Sequence, residues 1–205
     1  MKAITEVLYW ISTGLLVPVI VLLILLFLRS LLLLGTFFGQ YLNMRRTESA
    51  LAKLFKNLKR EGVDEMAANL PTKNCTLVVD TIRQVVEASH GESSEAQIDR
   101  VVGEFELQAA KDMSVSKTLT KMGPMLGLMG TLIPMGPALV GLAAGDIASM
   151  AYNMQVAFAT TVVGMLIAAI GVVTLQVKQR WCARDLNDLE YIAQILHTGQ
   201  ADEKA

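Results

Sequence analysis

Met122-Gly-Pro-Met-Leu-Gly-Leu-Met-Gly-Thr-Leu-Ile-Pro134 and Ala157-Phe-Ala-Thr-Thr-Val-Val-Gly-Met-Leu-Ile-Ala-Ala-Ile-Gly171 are two arms of one apolar stretch, residues 121–177. A short Gly/Pro-rich hairpin, residues 136–149, joins them. Gly123, Gly127 and Thr131 fall at i, i+4 and i+8, so on a helix they make one narrow face ending in a hydroxyl. Ala157, Thr161, Gly164, Ala168 and Gly171 do the same on the second arm. Small residues in such register let helix backbones approach closely where lipid supplies no hydrophobic drive. The pattern predicts an all-α membrane protein. A single threonine in such a helix commonly does no more than return its hydroxyl to the carbonyl one turn earlier.

Composition agrees with a membrane. Hydrophobic residues make up 53% of the 205 residues, and the mean hydropathy is positive; both are high for a soluble domain, yet leave room for a polar part. The formal net charge of −1 points neither to nucleic acid nor to an acidic substrate. Residues 9–27 form a first apolar run, interrupted by Ser12, Thr13, Gly14 and Pro18, with Tyr9 and Trp10 at its head. That length spans a bilayer, with aromatic anchors at the interface, and neither the short core nor the cleavage site of a signal peptide is present. Arg29 follows and is expected to snorkel to the headgroups, with the helix continuing over residues 31–42.

Basic residues orient the spans. Arg29, Arg45, Arg46, Lys53, Lys56, Lys59 and Arg60 follow the first, Lys111, Lys117 and Lys121 precede the second, and Lys178, Arg180 and Arg184 follow the third; residues 136–149 contain no Lys or Arg. The positive-inside rule then puts the N-terminus and hairpin outside and the middle region and C-terminus in the cytoplasm. Cys75 and Cys182 both fall on the cytoplasmic side, where thiols stay reduced, so neither a disulfide nor a metal site is expected. His90 and His197 are isolated and read as surface residues.

The chain divides into residues 1–42, a first transmembrane helix with an interfacial extension; 43–116, a cytoplasmic helical region; 117–177, the second and third transmembrane helices; and 178–205, a cytoplasmic helix and tail. In the middle region Leu51, Leu54, Phe55 and Leu58 recur at helical spacing, with Gly62 as a C-cap. A short helix over 63–70 ends at Pro71, and a longer one over 76–89 carries Leu77, Val78, Ile82, Val85 and Val86. Ser94 with Gln97 makes a capping box opening the longest helix of all, which runs without a breaker to Met122 and into the membrane. In the tail, Cys182, Leu186, Leu189, Ala193 and Leu196 lie on one stripe.

The combination is more telling than its parts. Gly123-Pro-Met-Leu-Gly-Leu-Met-Gly130-Thr131, followed about thirty residues on by Ala159-Thr160-Thr161 and Gly164, resembles the MotA/TolQ/ExbB proton channel family. That resemblance implies a large subunit without cofactor, several copies of which, five by the family's number, surround single-span partners of the ExbD/TolR/MotB kind. One aspartate of the partner carries the ion. The large subunit supplies a hydroxyl-lined wall, carried over here to Thr131 and Thr161, with Thr160 beside them, while Gly123, Gly127, Gly130, Ala157, Gly164 and Ala168 form the packing or pore face. The chain departs from the ExbB and TolQ branches at Val156, where they carry a Glu, and at Gly171, where they carry a proline. The paired Thr160 and Thr161 also resemble sodium-driven stators, so proton and sodium both stay open.

The residues themselves fit this division of labour. The three spans as drawn contain no Asp, Glu, His, Lys or Arg, and Asp146, after Gly145, reads as an N-cap at the outer mouth. Such a chain has no carboxylate of its own at depth to relay protons. Two classes remain: an energy-coupling channel subunit of an inner membrane, and a structural oligomeric scaffold. An intramembrane enzyme is disfavoured, because no Ser-His or paired-carboxylate arrangement occurs at depth.

Overall fold

The computed structural model describes residues 2–55, 77–89 and 94–203, all but a few of them in α-helices. α1 is Lys2–Gly14, α2 Leu16–Phe55, α3 Leu77–Ser89, α4 Ser94–Ala143 and α5 Ile147–Glu203. Three stretches are long and apolar enough to cross a membrane: Leu16–Leu42, and portions of Glu95–Ala143 and Ile147–Leu196. Outside the described residues lie the expectations for Leu58, Gly62, residues 63–70, Pro71, Cys75 and His90. The side chains of Tyr9, Leu51, Leu54, Phe55, Ser94 and His197 lie outside them too.

The first span differs from its expected form. The run over 9–27 is divided at Leu15, because Pro18 has no N–H to offer the Gly14 carbonyl. The flanking bonds survive, Leu15 N donating to Ile11 O at 3.0 Å and Val19 N to Leu15 O at 3.1 Å, so the interruption is one residue long. α2 then continues unbroken past Arg29, which stands exposed midway along Leu16–Leu42.

α4 also runs further than expected. It passes straight through Pro124, Pro134 and Pro137, each of which removes one backbone donor, and the expected hairpin over 136–149 shrinks to three residues. The turn is a Schellman closure: Asp146 N donates to Gly141 O at 2.9 Å and Gly145 N to Leu142 O at 3.1 Å. Gly145 takes the left-handed conformation this requires, with φ of 77°. Asp146 then caps α5 as expected, its Oδ1 accepting from Ser149 N at 3.0 Å. α5 continues through the tail as one helix of 57 residues, so it, and not α4 with 50, is the longest.

Contacts divide the chain into two units, to both of which α2, α4 and α5 contribute. The first is Met1–Gly35 with Ser114–Leu175. Its apolar core joins Val19 and Leu23 of α2, Leu119 and Leu126 of α4 and Ile167 of α5, flanked by Leu26, Phe27, Leu33, Val115, Ile133 and Val163. On α2 the packed positions 19, 23, 26, 30 and 33 alternate steps of four and three, a narrow seam. Leu22, Leu25, Leu28 and Leu32 on the other flanks are exposed.

The second unit is Thr36–Met113 with Gln176–Ala205. Here α3 buries Val78, Val79, Ile82, Val85 and Val86 against Ile98 and Phe105 of α4 and Leu189, Ile192 and Ala193 of α5. Each such Ile or Val contributes ~1.5–3 kcal/mol relative to exposure. Leu77, expected on the buried stripe of α3, is exposed, and Val79 and Thr81 are buried instead. Cys182, Leu186 and Leu196 pack half-buried at the margin of this core. The Trp181 ring of α5 stacks on Phe37 of α2 with centroids 5.6 Å apart. Lys178 Nζ, on a side chain only 8% exposed, donates to Asp112 Oδ2 at 2.7 Å.

Candidate functional site

Within the first unit, α4 and α5 are held antiparallel by the three-residue turn, and their small residues meet. A Cβ built on Gly123 would lie 2.8 Å from the Gly164 carbonyl oxygen and 3.0 Å from Ala168 N. One on Gly127 would lie 3.4 Å from Gly164 Cα, and one on Gly130 only 2.7 Å from Thr160 Cβ and Oγ1. Gly171 closes in the same way on Thr120, at 2.7 Å from its backbone nitrogen. At Gly123, Gly127 and Gly171 the close approach is to backbone, while Gly130 receives the Thr160 side chain.

Gly123, Gly127, Gly130 and Gly164 of the expected small-residue face lie in the contact between α4 and α5 of the same chain. Ala157 is buried, and Ala168, half-buried, brings its backbone nitrogen against Gly123.

The three threonines are placed differently from one another. Thr160 is buried against Gly130 and donates to the Ala157 carbonyl at 2.9 Å. Thr161 is half-buried and donates to the same carbonyl at 3.2 Å. Thr131 is half-buried and donates to the Leu128 carbonyl at 2.7 Å. Each hydroxyl proton therefore serves its own helix, and each oxygen keeps a lone pair to offer. As they stand the three are acceptors, suited to a protonated carboxyl or a bare cation; to donate to a carboxylate, a hydroxyl must rotate out of its helix bond.

No Asp, Glu, His, Lys or Arg occurs over 122–143 or 147–177. Among the described residues no three His, Cys, Asp or Glu side chains converge as a metal site would require.

Sequence reasoning missed a second set of hydroxyls. Ser116 of α4 and Thr174 of α5 are fully buried and hydrogen-bonded to each other at 3.2 Å, with Thr120 nearby donating to the Ser116 carbonyl. Asn153, half-buried one turn before Ala157, donates Nδ2 to Ser149 O at 2.9 Å. The signal was present in the spacing. Ser116 precedes Gly123 by seven residues and Thr174 follows Gly171 by three, so both extend the same helical stripes.

The sequence profile of the MotA/TolQ/ExbB proton channel family matches residues 50–191, more than half of the chain and including the whole of this hairpin. No curated protein matches the chain.

Proposed function

We propose that this chain, which belongs to the MotA/TolQ/ExbB proton channel family, is the large subunit of an ion-driven complex in which several copies ring a single-span partner. The family is one of channels and not of enzymes. The observation carrying the proposal is the polar inventory of the hairpin: helical segments 122–143 and 147–177 present hydroxyls but no Asp, Glu, His, Lys or Arg. A titrating carboxylate must then come from a second chain, of the ExbD/TolR/MotB kind, docked beside Thr131 and Thr161.

The extensive exposed apolar surface of α2, α4 and α5 supports a setting in which lipid or further copies cover it. Basic residues flanking the spans favour an inner-membrane protein with its N-terminus outside and its C-terminus in the cytoplasm. Five copies is the family's number.

One observation favours the alternative of a structural scaffold without conduction: all three threonine hydroxyls are satisfied within their own helices. Thr161→Val separates the two. Thr161 shares its acceptor with Thr160, so its removal orphans no carbonyl, and valine keeps the shape. In vesicles containing the complex with its partner, a channel has its proton or sodium flux lowered by about 5-fold to about 150-fold, the effect of removing a hydrogen bond of ~1–3 kcal/mol beside a buried carboxylate. Unchanged flux in both Thr161→Val and Thr131→Val rules the hydroxyl path out.

A further inference from the structure

Along the α4–α5 contact the means of attachment changes. From Gly123 to Gly141 on α4 the helices meet mainly where glycines leave no side chain, a smooth seam. At Ser116 and Thr174 they meet through a directional bond between two hydroxyls that are 0% exposed and 58 positions apart. Thr174 Oγ1 also lies 2.8 Å from the Ile170 carbonyl and 3.1 Å from that of Gly171. One hydroxyl has one proton, and the nearest acceptor, the Ile170 carbonyl, takes it. The bond between the helices is then made by the Ser116 proton, entering a lone pair of Thr174 Oγ1.

Ser116 differs in this from its neighbours. Thr118 and Thr120 donate to carbonyls four residues back in α4, whereas the hydroxyl of Ser116 is turned to α5. The glycine contacts hold the register by close approach alone, Gly164 against Gly123 and Thr160 seated on Gly130. The hydroxyl pair adds a directional restraint at another level of the contact: a slip of one turn, about 5.4 Å, parts it and strands a buried polar group.

We propose that Ser116 and Thr174 are positioning residues. Their bond adds a directional hold to the register of α4 on α5 that the glycine contacts set, and with it to the placement of Thr131 relative to Thr160 and Thr161, so its functional consequence rests on the hydroxyl path proposed above. The proton assignment makes the two ends unequal. Thr174→Val leaves Ser116 buried without this acceptor, while Ser116→Ala leaves Thr174 bonded to the Ile170 carbonyl.

The test uses the complex with its partner in lipid vesicles, in a Cys75→Ser, Cys182→Ser background. Spin labels at the exposed positions Thr118 and Val173 are carried by a minority of copies. Thr174→Val is expected to displace the label-to-label distance by about 1.5 Å or more, the rise of one helical residue, or to broaden its distribution, and to lower ion flux about tenfold. Thr174→Ser, which keeps the hydroxyl, restores both. A wild-type distance distribution in Thr174→Val overturns the proposal whatever the flux, as does wild-type flux with a displaced distance while Thr161→Val has lost its own. If Thr161→Val also keeps full flux, the hydroxyl path has failed, and the distances alone decide the register. Should Thr174→Val not accumulate, Ser116→Ala carries the same readouts without leaving a buried group unpaired.

Discussion

Gly123 and Gly164 face each other backbone to backbone. A Cβ on the first would stand 2.8 Å from the carbonyl oxygen of the second, and a Cβ on the second 2.7 Å from the carbonyl oxygen of the first. The atoms in the way belong to the main chain, so no side-chain rotation relieves the overlap and the helices must part.

Gly164→Ala is therefore expected to destabilise the protein by ~1–3 kcal/mol, the usual cost of overpacking, or more. Gly103→Ala, in the same fold, meets nothing within 4 Å and lies inside α4, where replacing glycine is expected to stabilise by ~0.5–1 kcal/mol. Thermal midpoints of the two variants in one detergent should move in opposite directions. Equal midpoints would mean that the seam is looser than its geometry implies.

That seam shows how far sequence reading reaches. The 3.6-residue period put Gly123 and Gly127 on one face and Gly164 on another, and family resemblance named the hairpin, but periodicity does not say which surface a face meets. Only the three-residue turn, closing at Gly145, brings the two faces onto each other within one chain. Ser116 lies beyond Lys121, the charge that ends the first apolar arm, although the small-residue stripe continues past it; Thr174 lies inside residues 121–177 but three residues beyond Gly171, where the second motif ends. The first apolar run is divided near Pro18, whose missing donor interrupts it without ending it, and α4 carries Pro134 and Pro137 because a helix tolerates single lost bonds when its flanks are packed.

Asp188 gives a pH dependence in the second unit. Burial raises its carboxyl above the ordinary range, and the opposing pull of Arg184 does not cancel the effect. A carboxyl raised on folding binds its proton more firmly in the folded state. Its contribution is fully present below the unfolded pKa of about 3.9 and is lost as pH rises through the folded value. Asp188→Asn removes that loss. The variant should melt at a higher temperature than the parent at pH 7.5, with the gap closing as pH falls toward about 4. A gap that widens on acidification would reverse the assignment of burial as the dominant cause.

Orientation can be read from Cys182, provided its chemistry is respected. The thiol is half-buried at the edge of the α3–α4–α5 core, and burial, with lesser help from Asp185 and Glu106, pushes its pKa up. Thiolate is the reactive form, so at pH 7 a cytoplasmic Cys182 reacts slowly even when reagent reaches it. Silence in intact cells is therefore ambiguous without a change of pH and a control on the other side. In a Cys75→Ser background, a membrane-impermeant maleimide should leave Cys182 unlabelled in intact cells at both pH 7 and pH 8.5. In opened vesicles it should label Cys182, the rate rising about tenfold with each unit of increasing pH while the pH stays below the thiol's pKa. Ala144→Cys, exposed in the α4–α5 turn, should label in intact cells. Labelling of Cys182 in intact cells at the opened-vesicle rate, or protection of Ala144→Cys until the membrane is breached, would place the C-terminus outside and invert all three crossings.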